Sequence, residues 1–179
     1  LILVIGCTKM PPKTEDVSDI TITLSEFNSF SGQSQLTING NGSVSYYWSG
    51  HENGSENYII KTGDITKDEL LALIEVFNKN DFFSLKEQYD CGGCVYVVAP
   101  PSFSISFKQG DFEKNVTDVG RYAPEGFYTL VAELEEIRDS LTSAEISPQD
   151  ACSTLNEISV RTRHRFATIN MSDCIINYG

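Results

Sequence analysis

Histidine is almost missing from this chain of 179 residues, with only His51 and His164 present. A Ser/His/Asp or Cys/His catalytic set, or a histidine-rich metal centre, would have to be built on one of these two. Each stands in a polar context, His51 before Glu52-Asn53-Gly54 and His164 inside Arg161-Thr162-Arg163-His164-Arg165. An isolated surface imidazole is the expectation for both. Basic residues are also scarce. Thirteen Lys and Arg face 25 Asp and Glu, for a net charge of −12. Nucleic-acid binding needs a basic face and is excluded as a partner class, as is electrostatic docking on anionic lipid. Long apolar runs are missing too. The one at Leu1–Ile5 is far shorter than the roughly 20 residues of a membrane-spanning helix. No glycine-rich loop leads into a helix, so a phosphate cradle is not expected; Gly40, Gly42, Gly92 and Gly93 serve turns. There is no internal repeat and no low-complexity tract.

What is present at the N-terminus points to export. Leu1-Ile2-Leu3-Val4-Ile5-Gly6-Cys7 resembles the end of a signal peptide joined to a lipobox. The resemblance implies diacylglyceryl attachment to the Cys7 sulfur and a truncated signal peptide over residues 1–7. Residues 8–18, TKMPPKTEDVS, are polar with two prolines and are expected to form a tether. The expected location is the cell envelope, outside the cytoplasm, with the membrane reached through lipid at Cys7. In an oxidising compartment the other four cysteines, Cys91, Cys94, Cys152 and Cys174, are read as disulfide-forming. Three pairings are possible, and proximity in sequence favours Cys91–Cys94 with Cys152–Cys174.

Period-2 alternation begins at Ile20, Ile22 and Leu24. Leu36 and Ile38 lead through Asn39-Gly40-Asn41-Gly42, a hairpin signal, into Val44, Tyr46 and Trp48. A looser segment over residues 51–56 precedes a short run at Tyr58-Ile59-Ile60. Thr66 and Glu69 make a capping box for a helix carrying Leu70, Leu73, Ile74 and Phe77, which Asn78–Asp81 should end. Phe82–Leu85 is a buried connector. Phe103, Ile105 and Phe107 alternate, turn at Gln109-Gly110-Asp111, and return through Phe112 and Val116. A second helix is expected from Pro124, a first-turn proline, with a stripe of Phe127, Leu130, Val131, Leu134, Ile137 and Leu141. The tail carries strand-like runs at Ile158–Thr162 and Phe166–Asn170. This order predicts an α+β fold, a two-layer sandwich of one antiparallel sheet with both helices on one face. The domain spans 19–142, and residues 143–179 form an extension whose strands join it.

Residues 20 to 141 also resemble a domain of unknown function found in secreted and lipid-anchored prokaryotic proteins. The likeness rests on Leu36-Thr37-Ile38 with Gly42-Ser43-Val44-Ser45-Tyr46, on Asn80-Asp81-Phe82-Phe83-Ser84-Leu85 with Tyr89, and on Ser104-Ile105-Ser106-Phe107 before Val116. The resemblance implies no activity.

Candidate chemistry is sparse. Cys91-Gly92-Gly93-Cys94 feeds a strand-like run rather than a helix, so the dipole that lowers a redox thiol's pKa is missing. A structural disulfide turn is the leading reading. A metal site drawing in Cys152, Cys174 or a histidine, and a thiol-redox role, are the alternatives. Arg161, Arg163 and Arg165 share one strand face and suit an anionic group, or else protect an edge strand. Glu133, Glu135, Glu136 and Asp139 read as a solvated helix face. Asn41, Asn53, Asn115 and Asn170 stand in glycosylation sequons that a bacterial lipobox makes incidental. No catalytic residue, metal or cofactor is expected. The expected function is a non-enzymatic envelope module that binds a protein or cell-wall partner; the alternative is a metal or thiol-redox protein using Cys91 and Cys94.

Overall fold

A computed structural model describes residues 16–52, 55–93, 99–143, 168–170 and 175–177, with backbone alone for 51–52, 55–58, 143 and the last two stretches. The chain divides into units 1–143 and 144–179. The first unit is an α+β fold built on one eight-stranded sheet. In chain order its elements are β1 (Ile20–Asn28), β2 (Gly32–Asn39), β3 (Ser43–Glu52), β4 (Ser55–Asp64), α1 (Lys67–Lys79), a 3-10 turn at Phe82–Ser84, β5 (Gln88–Tyr89), β6 (Ser102–Gln109), β7 (Phe112–Val119), α2 (Glu125–Ser140) and β8 (Thr142–Ser143). The strand order is β5-β7-β6-β1-β2-β3-β4-β8. In the second unit, β9 (Thr168–Asn170) and β10 (Ile175–Asn177) form an antiparallel pair.

β1 lies inside the sheet between β6 and β2, and its inward residues from Ile20 to Leu24 are apolar. Ile20, Ile22 and Leu24 are buried; Ile22 sits opposite Ile38 and Phe107, and Leu24 opposite Leu36 and Ile105. One core contains these residues with Val44 and Val116, with Leu70, Leu73, Ile74 and Phe77 of α1, and with Phe127, Leu130, Val131 and Leu134 of α2. Phe77 is its aromatic centre, meeting Phe82 edge-on at 4.9 Å and Phe107 at 5.6 Å.

α1 starts as its sequence dictates. The Thr66 hydroxyl accepts from the Glu69 backbone N–H at 3.2 Å, and the Glu69 carboxylate accepts from the Thr66 N–H at 2.7 Å. Donation from the Thr66 N–H and the Thr66 hydroxyl holds the Glu69 carboxyl below its ordinary range. The helix ends at Lys79, where Asp81 takes a left-handed φ of 51°.

Four details differ from the sequence expectation. Residues 51–52 and 55–56 are not a loose segment: His51 pairs with Glu56 and Glu52 with Ser55, extending the β3–β4 hairpin. Backbone ladders do not depend on side-chain polarity, so a polar run conceals a strand. Pro124 caps α2 from outside, at φ −67° and ψ 160°, rather than occupying its first turn. Val17, within the expected tether, is buried in the core, and Ile20 N–H donates to its carbonyl at 3.1 Å. The sheet is antiparallel except at one edge, where β5 pairs with β7 in parallel.

Candidate functional site

The apolar rows of the sheet stop before the strands do. Continuing β1 inward beyond Leu24 brings Glu26; β2 beyond Leu36 brings Ser34; β3 beyond Tyr46 brings Trp48; β6 ahead of Ile105 brings Phe103. These four side chains share a face and line a cavity of about 100 Å³, closed on one side by the β1–β2 turn.

The turn is held rigidly. Asn28 Oδ1 accepts from Phe30 N–H at 2.9 Å, and the Ser29 hydroxyl donates to the Ala99 carbonyl at 3.1 Å. Gly32, at φ +105°, lies so close to β3 that a Cβ there would stand 2.0 Å from the Ser49 carbonyl oxygen. The indole of Trp48 lies over Gly50, whose added Cβ would meet it at 2.5 Å. The turn also presents Phe30 with 80% of its surface in solvent, and Phe27 is 44% exposed beside it. Phe30 on the turn and Phe27 near the end of β1 place two aromatic rings in solvent close together, and Phe30 is the most exposed large apolar side chain among the described residues.

A charge network backs the cavity. Arg138 of α2 reaches Glu26 at 3.2 Å, Glu135 at 3.1 Å and Asp139 at 2.9 Å. Its guanidinium carbon stands 5.8 Å from the centre of the Tyr46 ring. Burial pushes the Glu26 carboxyl above its ordinary range; Arg138 opposes the shift, while Glu135 and Asp139 add to it. Burial likewise raises the Tyr46 phenol. Ser34 acts against both shifts. Burial disfavours the charge of Arg138, but the Asp139 hydrogen bond and the Glu26 and Glu135 charges outweigh that and hold it firmly protonated.

A second polar centre is structural. Asp118 is fully buried, and its carboxylate accepts from the backbone N–H groups of Arg121, Tyr122 and Ala123 and from the Tyr128 hydroxyl. It ties the β7–α2 loop to the first turns of α2.

The stretch from the turn to Arg138, which holds the cavity walls other than those from β1, matches one family. The chain belongs to the family described as Domain of unknown function (DUF6438). The match covers residues 30–138, from the exposed Phe30 to the Arg138 that backs the cavity. It lies inside the 20–141 span of the resemblance seen in the sequence, and β1 falls outside it. No curated protein matches the chain.

Of the residues singled out in the sequence, few fall in the described part. Cys91 is half-buried and is engaged rather than free; Gly92 and Gly93 beside it take positive φ of 64° and 133°, a tight turn. Cys7, Cys94, Cys152, Cys174, Arg161, Arg163, Arg165 and His164 lie outside the described residues, and of His51 only the backbone is described. Among the described residues no group of three His, Cys, Asp or Glu is placed to hold a metal, and no helix is long and apolar enough to cross a membrane. Sequence reasoning took Trp48 as one more inward strand residue and missed its role as a cavity wall. It also missed the partnership of Glu26 with Arg138. The signal for both was a break in pattern: an acid, Glu26, on the buried phase of β1.

Proposed function

We propose that this chain is a lipid-anchored binding module of the cell envelope, with no catalytic chemistry of its own, and that its partner docks on the β1–β2 turn and the adjoining cavity. The exposure of Phe30 carries this reading. An aromatic ring held in water by an ordered turn raises the free energy of the unbound protein, and interfaces draw most of their affinity from such anchors beside a pocket. The Val4-Ile5-Gly6-Cys7 lipobox supports anchoring at Cys7. The two-layer arrangement belongs to the same proposal. Each helix buries one stripe, and both stripes join the alternate strand residues in a single core, which fits two helices on one face of the sheet. The turn at Gly92-Gly93 supports a bridge between Cys91 and Cys94, leaving Cys152 for Cys174.

The test is a photo-crosslinking amino acid placed at Phe30 in the lipidated protein in intact cells, with the same group at Thr37, a half-buried outer-face residue of β2, as reference. A discrete adduct from position 30 and none from position 37 is expected. Equal labelling from both positions, or none from position 30, would overturn the reading.

A further inference from the structure

We infer that the cavity beside the β1–β2 turn receives a lysine side chain from a basic segment of the docking partner. The inference rests on the binding face proposed above and deepens it. Size is the first argument. A cavity of about 100 Å³ is well below the roughly 300–1,000 Å³ of small-molecule sites. It has room for about three waters, each occupying roughly 30 Å³, and so for one unbranched side chain. Its walls are the second argument. Trp48 and Phe103 offer apolar surface to an alkyl stem, and Glu26 and Ser34, in register on the same face, offer oxygen. A wall that sets aromatic rings beside a carboxylate is complementary to a stem that ends in a cation.

Charge decides the sign. Glu26, Glu135 and Asp139 share the single guanidinium of Arg138. Lys61, whose Cα faces that of Tyr46 across β3–β4 and whose charge acts on Asp139, brings the cations to two against three carboxylates. The chain as a whole carries −12. An anionic guest is therefore opposed locally and globally, and a cationic one is drawn in. Arginine fits less well than lysine. Its planar fork is best met by both oxygens of one carboxylate, and Glu26 already bonds Arg138 through Oε1. An ammonium is a compact charge that needs only single contacts.

Trp48 is the only tryptophan in the chain, so its emission reports on the cavity alone. The experiment titrates the full-length protein with Nα-acetyl-lysine amide, Nα-acetyl-norleucine amide, Nα-acetyl-arginine amide and N,N′-diacetylchitobiose, a neutral disaccharide. The lysine probe should shift Trp48 emission saturably. The norleucine probe, of similar stem but uncharged, should not, and the arginine probe should bind more weakly. Glu26→Gln should weaken the lysine response at least tenfold with its circular dichroism unchanged. Equal responses to lysine and norleucine in the wild type, which need no variant, would overturn the inference, as would no response to lysine. A lysine response unaltered in a folded Glu26→Gln protein would overturn it too, and saturation by the disaccharide alone would assign a glycan instead. Failure of the lysine probe with the Phe30 crosslink intact removes the ligand class and leaves the binding face standing; failure of both removes both.

Discussion

The hydroxyl of Tyr128, one turn into α2, donates to the buried carboxylate of Asp118 at 2.5 Å, closing a ring of four hydrogen bonds around the last residues of β7. The loop between them contains Arg121 at φ 69°, a left-handed conformation that a side-chain-bearing residue adopts only when it is held there. Asp118 supplies that hold. Removing it orphans three backbone donors at once. Asp118→Ala is expected to cost on the order of 3 kcal/mol or more in chemical denaturation, since hydrogen bonds to charged groups contribute roughly 1.5–3 kcal/mol each and do not add fully.

The same pair makes a prediction about alkali. Burial and the Asp118 hydrogen bond push the Tyr128 phenol from 10.0 up to about 12. A folded-state pKa above the unfolded value means that the contribution is whole below pH 10 and is lost as pH rises through about 12. The stability difference between wild type and Tyr128→Phe should be constant from pH 7 to 9 and shrink between pH 10 and 12. A difference that is flat over the whole range would mean the phenol is not held by Asp118.

Leu73 of α1 is 4% exposed in the core shared by helices and sheet. Leu73→Ala should cost roughly 2–5 kcal/mol by equilibrium denaturation. A loss under about half a kcal/mol, the range of surface substitutions, would put the stripe of α1 on the wrong side.

Much of the fold was legible because local and global signals agree. Thr66 and Glu69 announce α1, and the alternation Ile20, Ile22, Leu24 announces β1 with the correct inward face. The parts that were missed lack a local signature. β5 is two residues long and pairs in parallel with β7, a register fixed by tertiary contact alone. Asp118 has no motif around it to mark it, although its spacing from Val116 places it on the buried phase of β7. The cavity was missed for a related reason. Glu26 and Ser34 continue an apolar row with polar side chains, and only the approach of Arg138, 112 residues away in sequence, makes that tolerable.

Anchoring makes its own prediction. Cys7→Ser in the complete gene product should move the protein from the membrane fraction to the soluble fraction, as judged by fractionation and immunoblot. A variant that still sediments with membrane would contradict lipidation at Cys7.

The central claim is that the β1–β2 turn exists to bind rather than to stabilise, and the double variant Phe27→Ser/Phe30→Ser tests it most directly. Both rings are exposed, at 44% and 80%, so denaturation should show each change to be worth less than about half a kcal/mol. In the same protein, a crosslinking group at Ser31, between the turn and the cavity wall, should lose its adduct in cells. Unchanged stability with the adduct lost is the predicted result. Unchanged stability with the adduct retained would contradict the account.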